Sequence, residues 1–274
     1  MTPQPRMIAF IGAGNMTQSI VGGMVQSGYP ANYITVSNPS TDKLERLQQQ
    51  FGVNITPNNI DAVATADVVV LAVKPQLMAT VCEQLKAEVP DLGDKLIISI
   101  AAGIRITKYQ DYLGASRIIR VMPNTPSLVG QGMTGLVTHA ATTDADRDFA
   151  SSIFNRVGKT LWVDDEDQID ILSALAGSGP AYFFEFMASL QKAAVALGFN
   201  AEQARILVNQ TALGAAAMAT ASELELPDLR AQVTSKGGST AKGIDVYQAA
   251  DIDFISAEAL HAAVKRNQEM AKLF

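Results

Sequence analysis

Residues Val233-Thr-Ser-Lys-Gly-Gly-Ser-Thr-Ala-Lys-Gly-Ile244 carry groups whose types and spacing suit the binding of a small anion. Gly237 and Gly238 permit a sharp turn, and Ser239 and Thr240 then supply hydroxyls where a helix is expected to begin. The first N–H groups of a helix lack partners within it and attract anions. Gly237, Gly238, Ser239 and Thr240 are therefore expected to seat a carboxylate or a phosphate. Near the other end, Gly12-Ala13-Gly14-Asn15-Met16-Thr17 follows an apolar run and opens a helix, the setting of a dinucleotide fingerprint. Gly12 is suited to the tight turn and Gly14 to close approach of a pyrophosphate, with Asn15 and Met16 beginning the helix. Thr17 stands where Gly or Ala is usual.

Further polar or small groups fall where strands are expected to end. Ser37-Asn38-Pro39-Ser40 has no acid to accept a ribose 2′-hydroxyl before Asp42, and Lys43 and Arg46 follow. This pattern favours NADPH, with NADH less favoured. Ala72-Val73-Lys74-Pro75 ends the most apolar strand candidate. Ala101 and Gly103 leave room for a flat nicotinamide at the next, and Asn124, in Met122-Pro-Asn-Thr-Pro126, is expected to point into the same crevice. Ser178, in Gly177-Ser-Gly-Pro180, marks a second polar helix start, and Glu223 lies shortly before the Gly-Gly-Ser-Thr loop.

These residues need elements to hold them. Short β-rich runs at 7–11, 33–36, 53–55, 67–73, 95–99, 117–121, 134–138 and 159–163 alternate with helical stretches, one of them 144–156. The expectation is an α/β fold: an N-terminal Rossmann-like doubly wound sheet over residues 1–163, followed by an all-α domain over 164–274. The acidic run Asp164–Asp167 is expected to be a solvated helix start. The helices that follow are placed at 167–175, 180–197, 201–222, 240–249 and 256–273, with Pro227 as an interruption. The small-sided stretch 211–219 is expected at the centre of the helical domain or of a dimer.

Composition bounds the function. Of 274 residues 48% are hydrophobic and 18% charged, with a net charge of −6. That is a globular composition with no basic run for nucleic acid or an anionic membrane. Cys82 is the single cysteine, so no internal disulfide can form, and a reducing, cytoplasmic setting is expected. With His139 and His261 the only histidines, no metal site is expected. No secretory signal opens the chain, and Glu185 and Lys192 make the apolar stretch 174–198 a buried helix rather than a membrane span.

Phe10-Ile-Gly-Ala-Gly-Asn-Met16, Ala72–Pro75, Met122–Pro126, Gly177-Ser-Gly-Pro-Ala-Tyr182 and Thr234-Ser-Lys-Gly-Gly-Ser-Thr240 together resemble the pyrroline-5-carboxylate reductases, from about Met7 to about Leu273. The resemblance implies NAD(P)H-dependent reduction of a cyclic imine to L-proline, the last step of its biosynthesis. It also implies a Rossmann domain, a helical dimerisation domain, and assembly as homodimers or rings of dimers. It places Ser37, Asn59 and Ala72–Pro75 at the cofactor and Glu223 and Thr240 near the substrate. Thr240 would then help bind the carboxylate and be the first choice of proton donor, with a water held by Ser178 or Glu223 as the other source. Two residues depart from the family pattern: Lys236 stands in place of Pro, and Ala176 in place of Ser. A reductase of the same architecture acting on another imine or a 3-hydroxy acid, and a non-catalytic NADP sensor, are the alternatives.

Overall fold

The computed structural model describes residues 5–272. These residues form two compact units, 5–177 with 264–272, and 178–263.

The first unit is built on an eight-stranded sheet: β1 (Ile8–Ile11), β2 (Ile34–Ser37), β3 (Asn54–Thr56), β4 (Val68–Leu71), β5 (Leu96–Ser99), β6 (Ile118–Met122), β7 (Gly132–Thr138) and β8 (Gly158–Trp162), in the order β3-β2-β1-β4-β5-β6-β7-β8. The helices between them are α1 (Asn15–Gln26), α2 (Thr41–Phe51), α3 (Asn59–Ala64), α4 (Pro75–Glu88), α5 (Ile106–Leu113) and α6 (Asp144–Phe154), with α7 (Glu166–Leu172) after β8. Successive strand residues face opposite sides of a sheet, so an unbroken apolar run supplies two cores. Ile8, Phe10, Val68 and Val70 enter one cluster, while Ala9, Ile11, Val69 and Leu71 enter the other.

The sheet departs from all-parallel winding at one pair. β6 and β7 are antiparallel, and β8 runs parallel to β7. The connection from Met122 to Gly132 holds only a short 3-10 turn, Thr125–Val129. It is too short for the helical crossover that a parallel return requires.

The change of class at 163/164 is not where the compact units part. α7 belongs with the sheet: a Cβ on Gly135 would lie 2.6 Å from Leu172 Cδ1 and 3.1 Å from Ile169 Cδ1, so glycine lets the helix rest directly on β7. A π-helical turn, Ser173–Gly177, completes this segment.

The second unit contains α8 (Gly179–Ala196), α9 (Ala201–Ala221), α10 (Leu226–Gln232), α11 (Ser239–Ala249) and the first part of α12 (Ile252–Ala271), whose last turns belong to the first unit. Leu273, the expected end of α12, lies outside the described residues. Pro227 does not interrupt a helix; it sits in the first turn of α10, where its missing N–H costs nothing. Asn200 and Gln203 form a reciprocal capping box that starts α9. Within residues 178–263 only Gly179, Ala204 and Val208 are buried. The small-sided stretch 211–219 is largely exposed, so it is not the centre of a helical core within one chain.

Candidate active site

The strand order reverses direction of growth between β1 and β4, and ligands of such sheets bind beyond the carboxyl ends of the strands at that point. Gly12 leaves β1 there with φ +111°, and its N–H donates to the Ser37 carbonyl at 2.8 Å. A Cβ on Gly12 would stand 2.7 Å from the Ala72 oxygen, so glycine is what lets the ends of β1 and β4 meet. Thr17 is fully buried and its hydroxyl donates to the Gly12 carbonyl at 2.8 Å, locking the turn from inside. Gly14, by contrast, has no atom within 4 Å of its would-be Cβ. Beside that space the N–H groups of Asn15 and Met16 find no acceptor among the described residues. An open cradle with unpaired donors at a helix start fits a pyrophosphate.

Ser37, which the resemblance places at the cofactor, turns its side chain inward. It is fully buried, and its Oγ donates to Asn59 Oδ1 at 2.7 Å. It acts on the site through Gly12 and Asn59, whose amide nitrogen has no acceptor among the described residues. Asn38 braces the same turn: its Oδ1 accepts from the Ala13 N–H at 3.3 Å and its Nδ2 donates to the Ser40 carbonyl. Ser40, Lys43 and Arg46 are exposed, so hydroxyl and cationic groups do stand at the start of α2. Ala72 and Val73 are half-buried; exposed Lys74 precedes α4, with Pro75 in its first turn.

At the next strand ends, Ala101 is buried and Gly103 turns with φ +80°. Asn124 does not point a free amide at the crevice. Its Oδ1 accepts from the Met133 N–H and its Nδ2 donates to the Ala176 carbonyl, both at 2.9 Å. It ties β7 to the π turn.

A buried ionic cluster, which none of the sequence motifs includes, stands beside this strand end. Arg120, in an otherwise apolar strand, donates to Glu166 Oε1 at 3.0 Å and to Asp170 Oδ1 at 3.2 Å. Arg105 donates to Asp167 at 2.8 Å and to Asp170 Oδ2 at 3.1 Å. Asp165 caps α7, but Glu166 is buried, so the acidic run is not wholly a solvated helix start. The signal was present: an arginine inside Ile118-Ile-Arg-Val-Met122 must find buried partners, and the acids at 166–170 supply them.

In the second unit the Gly-Gly-Ser-Thr segment starts α11 as expected. Gly237 takes φ +75°, and the Gly238 N–H closes the turn on the Ser235 carbonyl at 3.0 Å. The N–H groups of Ser239, Thr240 and Ala241 meet no acceptor among the described residues, and both hydroxyls are exposed and unbonded. Ser178 precedes α8 without capping it through its side chain. Glu223 is exposed in the turn after α9. Among the described residues no cluster of His, Cys, Asp and Glu could hold a metal ion. Burial raises the Cys82 thiol to about 12, which leaves it protonated and inert at neutral pH.

Residues 166–270 match the model of pyrroline-5-carboxylate reductase dimerisation, and residues 7–103 match that of NADP oxidoreductase coenzyme F420-dependent. A pyrroline-5-carboxylate reductase of Vibrio alginolyticus is 49% identical, over 98% of this chain and 99% of the relative. The chain belongs to the pyrroline-5-carboxylate reductase family. The family extends to plants, with a Pisum sativum reductase 37% identical over 96% of each chain. The solved Coxiella burnetii reductase superposes with a TM-score of 0.93 at 43% identity, over 97% of this chain and 99% of that one. The Plasmodium falciparum reductase, solved with NADP bound, gives 0.84 at 29% identity, over 97% and 98%.

Proposed function

We propose that this chain reduces 1-pyrroline-5-carboxylate to L-proline with NADPH. Family membership over the whole chain supports the activity. The observation that carries the substrate assignment is the start of α11, where three N–H groups and two hydroxyls have no partner among the described residues behind the Gly237–Gly238 turn. These groups bind the substrate carboxylate. The Gly14 cradle and the first turn of α1 hold the pyrophosphate; Asn59, Ser40 and Lys43 face the ribose end, and the small residues Ala101 and Gly103 admit the nicotinamide. When bound, NADPH supplies the hydride that reduces the imine carbon, while a proton completes the amine nitrogen. Binding in one orientation does most of the work, because a protonated imine is already electrophilic. The Thr240 hydroxyl is the first choice for that proton, with a water on Ser178 or Glu223 as the second source.

NADPH oxidation with pyrroline-5-carboxylate, repeated with NADH, other cyclic imines and 3-hydroxy acids, tests the assignment. Turnover is expected with the first substrate and faster with NADPH. Thr240→Ala is expected to lower kcat/KM by roughly tenfold or more while NADPH affinity holds; an unchanged kcat/KM removes Thr240 from the site.

Self-association follows from the dimerisation model and from an exposed apolar groove of about 450 Å³ lined by Phe186, Leu190, Leu207 and Val208. We infer a homodimer as the working unit and a ring of dimers as its further assembly. Among the described residues no helix is long and apolar enough to cross a membrane. The single reduced cysteine supports a cytoplasmic setting.

A further inference from the structure

We propose that Arg120, Glu166, Asp170 and Arg105 form a positioning circuit for the turn Ala101–Arg105, and so set the rate of hydride transfer without contacting substrate or cofactor. The inference rests on the proposed function, which puts the nicotinamide against this turn. Ile100 donates to the Leu71 carbonyl at 3.1 Å and Ala101 to Ser99 Oγ at 3.3 Å. Beyond them, Ala102, Gly103 and Ile104 donate no backbone hydrogen bond among the described residues. Ile104 is anchored by its side chain in the core, and the next hydrogen-bonded N–H is that of Ile106, which donates to Glu166 Oε1 at 3.0 Å. That same oxygen receives Arg120 Nη1 at 3.0 Å. Asp170 then closes the circuit with one oxygen on Arg120 and the other on Arg105, the residue that ends the turn.

Three properties separate this from ordinary core packing. Arg120 and Asp170 are each 2% exposed and Glu166 is 9% exposed, and such buried ion pairs often stabilise no better than apolar residues of like volume. What they do supply is fixed direction, because a planar guanidinium holds two carboxylates at set angles. Shared atoms make the parts move together: displacing Arg120 swings Glu166, which frees the first turn of α5. Finally, the space between Gly103, Arg120, Asp170 and Asn267 is only about 10 Å³, room for about one water, so there is little slack to absorb a shift. Asn267, which donates to the Asp170 carbonyl at 2.9 Å, extends the circuit to the end of α12.

The test uses the full-length enzyme with Arg120→Lys, Asp170→Asn and Arg105→Met, each checked for folding by circular dichroism and thermal melting. A misplacement of about an ångström can cost about a hundredfold in rate. For Arg120→Lys and Asp170→Asn the expected result is a kcat about tenfold or more lower, with NADPH Kd within about twofold of wild type. The primary isotope effect with 4-deuterated NADPH should rise as the hydride step becomes limiting. Arg105 is a third exposed, so Arg105→Met tests the circuit with least risk to folding and is expected to lower kcat about threefold or more. Wild-type kcat and isotope effect in folded variants overturn the proposal, as does a loss of NADPH affinity that accounts for the whole loss of rate. Hydrogen exchange at the Ile106 amide gives a readout independent of turnover. Faster exchange in Arg120→Lys or Asp170→Asn supports the circuit, and unchanged exchange overturns it. A wild-type enzyme that binds NADPH but reduces no imine overturns the proposed function, while the exchange result still decides the circuit.

Discussion

Gly12 and Gly14 lie two residues apart and are held to glycine by different forces. At Gly12 the constraint is the protein itself, since φ is +111° and an added Cβ would stand 2.7 Å from the Ala72 oxygen. Gly12→Ala is expected to part the ends of β1 and β4, lower Tm by several degrees and weaken NADPH binding at least about tenfold. At Gly14 none of the other described residues comes within 4 Å of an added Cβ, its chain neighbours aside, so Gly14→Ala is expected to leave Tm within about 1 °C and weaken NADPH binding alone. Thermal melts and fluorescence titrations of both variants check the contrast. Residue types at these positions were legible because a strand, a turn and a helix follow in order. Directions were not. Ser37 and Asn124 are polar residues at strand ends, yet their side chains turn inward to Asn59, Met133 and Ala176, since a buried hydroxyl or amide takes the nearest partner.

Among the elements, α6 shows how one carboxylate can hold a helix to the sheet. Thr143 and Asp146 cap its start reciprocally, and buried Asp146 also accepts from Arg6 at 2.8 Å and from Arg117 at 2.6 and 3.0 Å. Burial alone would raise the Asp146 pKa; hydrogen bonds from Arg117, Arg6 and Thr143 outweigh it and hold the carboxyl well below the usual range. Its folded value therefore lies under the unfolded value of about 3.9, so the stabilisation is complete above about pH 5 and is lost as pH falls toward the depressed value. Asp146→Ala is expected to cost about 2 kcal/mol at pH 7, a few degrees in Tm, and to flatten the acid limb of a stability–pH curve. Strand and helix periodicity indicated most elements of this unit. The reversal at β7 was missed because it depends on the length of the 123–131 connection, not on any strand residue. Pro227 was misjudged because proline at the start of a helix and proline that breaks one look alike until the start is located.

For the whole molecule, the second unit has too little of its own core to stand without cover. Large apolar side chains such as Phe183, Phe184 and Leu213 are 71, 66 and 64% exposed. Apolar surface of that extent marks an interaction face, and the dimerisation model covers it. Sedimentation is expected to find a mass of at least twice 29.1 kDa. Leu207→Glu, a charge placed in the α8–α9 groove, is expected to shift the species toward the single chain and raise binding of an apolar dye. An undisturbed assembly would place the interface elsewhere.

Taken by itself, the sequence determined the fold class, the glycine turns and the α11 loop, because each depends on local chemistry: period, φ freedom and helix-end donors. It also located, through motif order, the family to which the chain belongs. Only the tertiary structure decided which polar groups remain open to a ligand and which are taken by the protein, which way β7 runs, and that α7 and the end of α12 lie with the sheet. It alone joined Arg120 to Glu166 and Asp170, across 46 and 50 residues of chain. Such pairings are set by which strands and helices come to share a buried face, and no spacing along the chain encodes that.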